Sequence, residues 1–280
     1  MIIWIASFPK SGNTWVRSMI SSLIYSDTGI FNFEIIKKIQ QFPNKKHFEN
    51  LTEEYQNIHE LKKFWITAQD KINLDKKIKF FKTHHINCKI GENSFTNKNN
   101  TLGTIYIVRD PRNLVESFSN FYKKDKSLAI QDITSKGFVS GASYINNKQN
   151  NVFTIIGSWN DHYNSWTKIN TNLLVIKYED LLNDPFKELD RIIIFLKKFM
   201  NFKYDDYKIQ NIINSTSFER MQRMEDDEGF FEMPSKDNDQ NKVKFFNKGR
   251  KNDWRKYLNK NESDNIENKF EKEMKELGYI

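Results

Sequence analysis

The stretch Ser7 to Trp15, SFPKSGNTW, sets a lysine, a glycine and short polar side chains directly after the apolar run Ile2 to Ile5. A strand, a tight turn and a helix N-terminus offer converging backbone amides and about half a positive charge, which suits an anion. The common phosphate-binding loop has glycine, four residues, then Gly-Lys-Ser/Thr. With Gly12 on the second glycine, Ser7 replaces the first, Asn13 stands where the lysine belongs, and the lysine is Lys10, inside the loop. A second stretch, Ile105 to Pro111, reads IYIVRDP. Its strand-end position, expected to hold a magnesium-binding acid, is Arg109, followed by Asp110. A guanidinium there offers a fork to phosphate or carboxylate rather than a ligand to a metal. The chemistry is anion binding, with cationic side chains in place of a metal.

Alternation of apolar runs with helical patterns organises these stretches as a mainly parallel sheet flanked by helices. Strands are predicted at Ile2 to Ala6, Ile78 to Lys82, Thr104 to Val108 and Leu173 to Lys177. Helices are predicted at Gly12 to Tyr25, Pro111 to Lys124, Thr154 to Lys168, Pro185 to Phe199 and Ser263 to Leu277. In the last, Ile266, Phe270, Met274 and Leu277 form one apolar stripe. From Glu225 to Gly249 periodicity disappears and acids give way to bases, the pattern of a long mobile segment over a site. No internal repeat or domain boundary interrupts the chain, so residues 1–280 are read as one α/β domain.

Composition narrows the classes. A chain of 280 residues can bury a large core, and its 23 Phe, 11 Tyr and 6 Trp supply it despite a mean hydropathy of −0.73. The single cysteine, Cys88, forbids an intrachain disulfide and a thiolate metal cluster, and fits a reducing compartment. There is no signal-peptide pattern after Met1 and no run of about 18 apolar residues, so the expectation is a cytoplasmic protein without a membrane span. The net charge of +8 raises nucleic acid as a partner, but the basic clusters are scattered and interrupted by acids, as on solvated faces. No specific nucleic-acid site is expected.

Five ordered stretches, FPKSGNTW, FFKTHH (Phe80 to His85), IVRDPRNLVESFSNFY (Ile107 to Tyr122), VIKYEDLLNDP (Val175 to Pro185) and FFNKGRKNDWRKYL (Phe245 to Leu258), resemble the motif set of the cytosolic sulfotransferases. The resemblance runs from Ile3 to about Gly278, with Arg109 and Ser117 eight apart as in that family. It implies a fold like that of P-loop kinases and the sulfuryl donor 3′-phosphoadenosine 5′-phosphosulfate (PAPS), leaving 3′-phosphoadenosine 5′-phosphate (PAP), without metal. By the same resemblance Lys10 neutralises charge on the bridging oxygen as the bond to sulfur breaks. Ser11, Gly12, Asn13 and Thr14 hold the 5′-phosphate, although the family usually has threonine at Asn13. Trp15 stacks on adenine, with Tyr178, Thr216 and Phe218 completing the purine pocket. Arg109, Ser117, Lys248 and Gly249 grip the 3′-phosphate. The family's Arg-Lys-Gly appears here as Asn247-Lys248-Gly249. Losing that cation weakens donor binding by about 1.5 to 3 kcal/mol unless Arg250 or Lys251 compensates.

His84 is the implied general base and Lys82 adds positive charge beside the sulfuryl group. An imidazole of pKa ~6.5 is mostly neutral at pH 7. Strand alternation turns the adjacent His85 to the opposite side. Plainer readings stand beside these. Lys82-Thr83-His84 could be a solvated strand end, Trp15 core, and Arg109 a structural partner of Asp110 or Glu116. Trp159, His162 and Trp166 at helical spacing read as core, with His162 a hydrogen-bonded buried histidine, and Glu179 and Asp180 as strand end and helix cap. Cys88 is expected to be inert. The acceptor is a small molecule with a hydroxyl or amine, and aromatics such as Phe31, Phe42, Phe64, Trp65, Phe138, Tyr144, Phe230 and Phe231 are candidates to shape its site. A homodimer is left open. The competing functions are a P-loop kinase using ATP and Mg²⁺, and a non-catalytic nucleotide- or nucleic-acid-binding module.

Overall fold

The structure is a computed structural model, and it describes residues 1–140, 152–168, 172–232 and 244–280. Five strands form one sheet: β1 (Ile2–Ser7), β2 (Gln40–Gln41), β3 (Lys79–Thr83), β4 (Thr101–Val108) and β5 (Asn172–Lys177), in the order β2-β3-β1-β4-β5. Every pairing is parallel. The register aligns Ala6 with Thr83 and with Tyr106, and Val108 with Lys177. The carboxyl ends of the central strands therefore lie at one sheet edge. Residues just beyond those ends, Lys10, His84, Arg109 and Tyr178, enter the same region although the sequence scatters them over the chain.

Alternation along the strands divides the core in two. Ile3, Ile5, Ile105, Ile107 and Ile176 face the helices α1 (Asn13–Tyr25), α4 (Pro185–Lys197), α5 (Asp206–Ser215) and α6 (Phe218–Glu228). Trp4, Ala6, Tyr106 and Val108 face α2 (Pro111–Tyr122), α3 (Trp159–Thr167) and α7 (Lys260–Glu276). Trp159 and Trp166 are fully buried in this second core. The apolar stripe Ile266, Phe270 and Met274 packs there too.

The four predicted strands and most predicted helices appear within a few residues of their expected bounds. Two expectations are corrected. The helix expected from Thr154 begins at Trp159, because Thr154–Ile155 pairs with Val139–Ser140 and Gly157 takes a left-handed φ of 72° before Ser158 caps the helix. The segment expected to lose periodicity at Glu225 remains helical to Glu228, where α6 ends at Gly229. Residues 233–243 of that segment lie outside the described residues. The edge strand β2 leaves no mark in the sequence: its two residues are exposed glutamines and carry no apolar signal.

Candidate active site

Beyond the carboxyl edge lies a cavity of about 720 Å³. Its wall includes Lys10, Gly12, Asn13, Thr14, Trp15, Lys82, His84, Arg109, Ser117, Tyr178, Phe218, Asn247, Lys248 and Gly249. These come from the loop after β1 and the start of α1, the ends of β3, β4 and β5, the helices α2 and α6, and the chain after residue 244. Two expected residues do not reach its surface. Ser11 is fully buried with its hydroxyl unpartnered, and Thr216 is buried with its hydroxyl donating to the Ile212 carbonyl at 2.7 Å.

The loop is shaped by its backbone. Gly12 has φ 100°, and a Cβ there would lie 2.6 Å from Tyr178 Cδ2, so both conformation and space require glycine. Lys10 takes φ 65°, a left-handed conformation that turns its side chain into the cleft. The Asn13 amide donates inward, to the Ile5 carbonyl at 3.0 Å and to Ser7 Oγ at 3.2 Å. In this structure the side-chain N–H groups of Asn13 are spent on the strand, while the residue still lines the cavity.

Lys10 Nζ lies 3.9 Å from the centroid of the Phe121 ring and 4.2 Å from that of Phe245. Desolvation, followed by the neighbouring charges of Arg109 and Lys82, pushes its pKa down to about 7. Arg109 donates to the Lys10 carbonyl at 3.1 Å and lies 4.2 Å over the Tyr178 ring. Asp110 instead binds Arg112, and Glu116 pairs with Lys248, so Arg109 has no acidic partner among the described residues. This removes the structural-bridge reading of Arg109.

His84 is held from two directions. Its Nδ1 lies 2.8 Å from the Ser7 carbonyl, which can only accept, so Nδ1 carries the proton and Nε2 the free lone pair. Its backbone carbonyl accepts from His162 Nε2 at 3.1 Å, while Tyr106 donates its hydroxyl to His162 Nδ1 at 2.9 Å. His162 is thus the hydrogen-bonded core histidine the helical spacing suggested. Burial first, then the Lys82 charge, pushes the His84 pKa down to about 3. His85 points to the other side, stacked on Phe95 at 4.2 Å between ring centroids. Cys88 is pushed up to about 11 by burial, consistent with an inert thiol.

The residues expected to face a purine make close contacts with one another and with the loops beside them. Trp15 meets Tyr178 edge-on at 6.0 Å. Gly249 has φ 52°, and a Cβ on it would fall 2.7 Å from the Phe218 ring. Glu225, at the end of α6, accepts the backbone N–H groups of Phe245 at 2.6 Å and Phe246 at 2.9 Å, which ties the Asn247-Lys248-Gly249 segment to the cleft. Arg250 donates to the Leu182 carbonyl. Glu179 accepts from the Asp110 N–H and the Tyr279 hydroxyl, a structural use.

Sequence reading missed Ser7, Arg17, Phe121, Glu232 and Phe245 as site residues. Ser7 opens the SFPKSGNTW stretch, Arg17 lies two residues beyond it, Phe121 lies within a second motif and Phe245 opens a third, but nothing in their types marks these roles. Glu232 follows the apolar pair Phe230-Phe231 with no motif around it. Of the aromatics proposed for the acceptor wall, Phe31, Phe42, Trp65, Phe138 and Phe230 are buried in the core, and Phe64 is half-buried against it. Only Phe231 among the described members lines the cavity, and Tyr144 lies outside the described residues. Gln41 and Asn44 line it instead.

A family model described as Sulfotransferase domain matches residues 2–278. The chain belongs to the sulfotransferase domain family. Among curated relatives, sulfotransferase 1C2 of Rattus norvegicus is 23% identical over 274 residues, covering 96% of this chain and 82% of the relative. Sulfotransferase 1E1 of Homo sapiens is 26% identical over 274 residues, covering 97% and 83%. The fold matches that of mouse sulfotransferase SULT7A1, solved with PAP, with a TM-score of 0.60 at 22% identity over 98% of this chain and 84% of that one. Retinol dehydratase, solved with androsterone and PAP, gives 0.61 at 18% identity over 98% and 80%. Among the described residues, no helix of this sulfotransferase is long and apolar enough to cross a membrane. Nor do three or more His, Cys, Asp or Glu side chains stand together as a metal site.

Proposed function

We propose that this sulfotransferase moves the sulfuryl group of PAPS to a hydroxyl or amine of a small-molecule acceptor. The observation that carries the reading is the convergence of Lys10, Lys82, His84 and Arg109 on one cleft. The residues suit such a donor. The Ser11 hydroxyl, Trp15 Nε1 and Arg109 Nε are buried without partners in or beside the cleft, and Gly12 and Gly249 let Tyr178 and Phe218 close on its wall. PAPS, when bound, supplies the activated sulfur and an adenosine bisphosphate leaving group.

The loop amides and the start of α1 would hold the 5′-phosphate. Arg109 and Ser117, with Lys248 and Gly249, would hold the 3′-phosphate, and Trp15, Tyr178 and Phe218 the base. Lys10 would leave its aromatic neighbours to stabilise charge on the leaving oxygen, an interaction strongest in the transition state. His84 Nε2 would take the acceptor's proton. Its neutral state is secured by burial beside Lys82, and negative charge brought into the cleft favours the imidazolium when it forms.

The kinase reading is disfavoured because Asn13 turns inward at the position of the usual phosphate lysine and Arg109 stands at the strand end. Calorimetry with PAP, ATP and DNA tests the assignment: PAP should bind tightly, ATP weakly, and DNA only with a steep salt dependence. Equal affinity for ATP, or no PAP binding, would overturn it. Screening acceptors with labelled PAPS then identifies the acceptor class.

A further inference from the structure

Arg17, on the first turns of α1, is only 1% exposed, and its guanidinium meets Glu232 Oε1 at 2.5 Å. The other carboxylate oxygen accepts from Lys82 Nζ at 3.0 Å. Three elements remote in sequence are thus joined: α1, the end of β3 and the chain just after α6. Glu232 and Lys82 line the cavity, whereas Arg17 stands behind them.

We propose that Glu232 is a positioning residue for sulfuryl transfer: clamped by Arg17, its carboxylate holds the Lys82 ammonium at the cleft wall, leaving two of three N–H donors for an anionic sulfuryl group. The inference rests on the transfer reading above. Its physical basis is charge balance in a desolvated place. Arg17 and Lys82 are buried cations close enough to repel, and a lysine so placed tends to lose its proton. Burial lowers the Lys82 pKa, Glu232 opposes that effect and Arg17 adds to it. For Glu232, burial works upward, but Arg17 and then Lys82 outweigh it and hold the carboxyl at about 2. The carboxylate is therefore a permanent partner. The group of Arg17, Lys82 and Glu232 keeps one net positive charge at the wall, beside His84 and Lys10.

The test compares Glu232→Gln, which keeps shape but removes charge, with Glu232→Asp, which keeps charge. PAP lacks the sulfuryl group, so its affinity should stay within about threefold of the parent in both variants. In Glu232→Gln the preference for PAPS over PAP should fall by about tenfold, and sulfate release from ³⁵S-labelled PAPS without added acceptor should fall at least as much. Glu232→Asp should regain most of both. Should Glu232→Gln not fold, Arg17→Lys, which keeps the charge and loses the fork, should show the same selective loss in smaller measure.

A Glu232→Gln protein that favours PAPS as strongly as the parent, or more strongly, would overturn the proposal. The second result would make Glu232 a competitor of the sulfuryl group. Equal behaviour of the Gln and Asp variants, with only the melting temperature lowered, would also overturn it and reduce the clamp to a structural tie. Failure of the parent itself to bind PAP would instead strike the donor assignment.

Discussion

Lys10 makes the most quantitative link between the cleft and its ligand. With its pKa at about 7, only about a quarter of the Lys10 side chains are protonated at pH 7.5 in the donor-free protein. A phosphate placed beside the ammonium would restore the pKa towards its ordinary 10.5, so binding of PAP at pH 7.5 should take up about 0.8 proton. Uptake should approach about one proton at pH 8.5 and shrink to about 0.1 at pH 6. The phosphates of PAP, whose second pKa lies near ~6, would release protons to a cationic site, so they cannot supply this sign. The assay is titration calorimetry of PAP in buffers of different ionisation enthalpy, where the slope of observed enthalpy against buffer enthalpy counts protons. Lys10→Met should bring the slope to zero or below. A flat response in the parent would refute the desolvated-lysine argument, and an unchanged slope in Lys10→Met would assign the proton to another group.

Three further outcomes are expected. His84→Ala should cut transfer by about 10²- to 10⁴-fold while PAP affinity stays within about threefold; an active variant would place the base on another residue. Burial holds His47 and His85 at about 4 and His84 and His162 at about 3, all below the ordinary 6.5. Their neutral forms therefore contribute stability that is complete above about pH 6.5 and is lost as pH falls towards the folded values, at up to about 5 kcal/mol per pH unit for four groups. Thermal melts from pH 7.5 to 5 should fall steeply, and a constant melting temperature would contradict the burial of these rings. Gly12→Ala should cost about 1 to 3 kcal/mol through its left-handed backbone, and displacement of Tyr178 should weaken PAP binding at least tenfold; urea melts and calorimetry would show an unaffected protein if the turn can relax.

The parallel α/β plan is legible in the order of the residues, and with it the places where a cleft can gather cationic side chains. Ile2 to Ala6 and Thr104 to Val108 are apolar runs that only a doubly covered strand can bury, and Pro111 and Pro185 mark where helices begin. Lys10 and Arg109 are legible from their places in a strand-turn-helix loop and at a strand end, and His84 from the resemblance of FFKTHH to the sulfotransferase motif; parallel strands deliver all three to one edge. Tertiary structure alone decided what those side chains meet. The inward turn of Asn13, the tautomer of His84 set by Ser7, and the rings around Lys10 depend on distances between segments that are remote along the chain. Glu232 is the extreme case, since its partners Arg17 and Lys82 stand 215 and 150 positions away. A carboxylate in a sequence gives no sign of whether water or two buried cations surround it; desolvation and charge pairing arise only when the chain has folded.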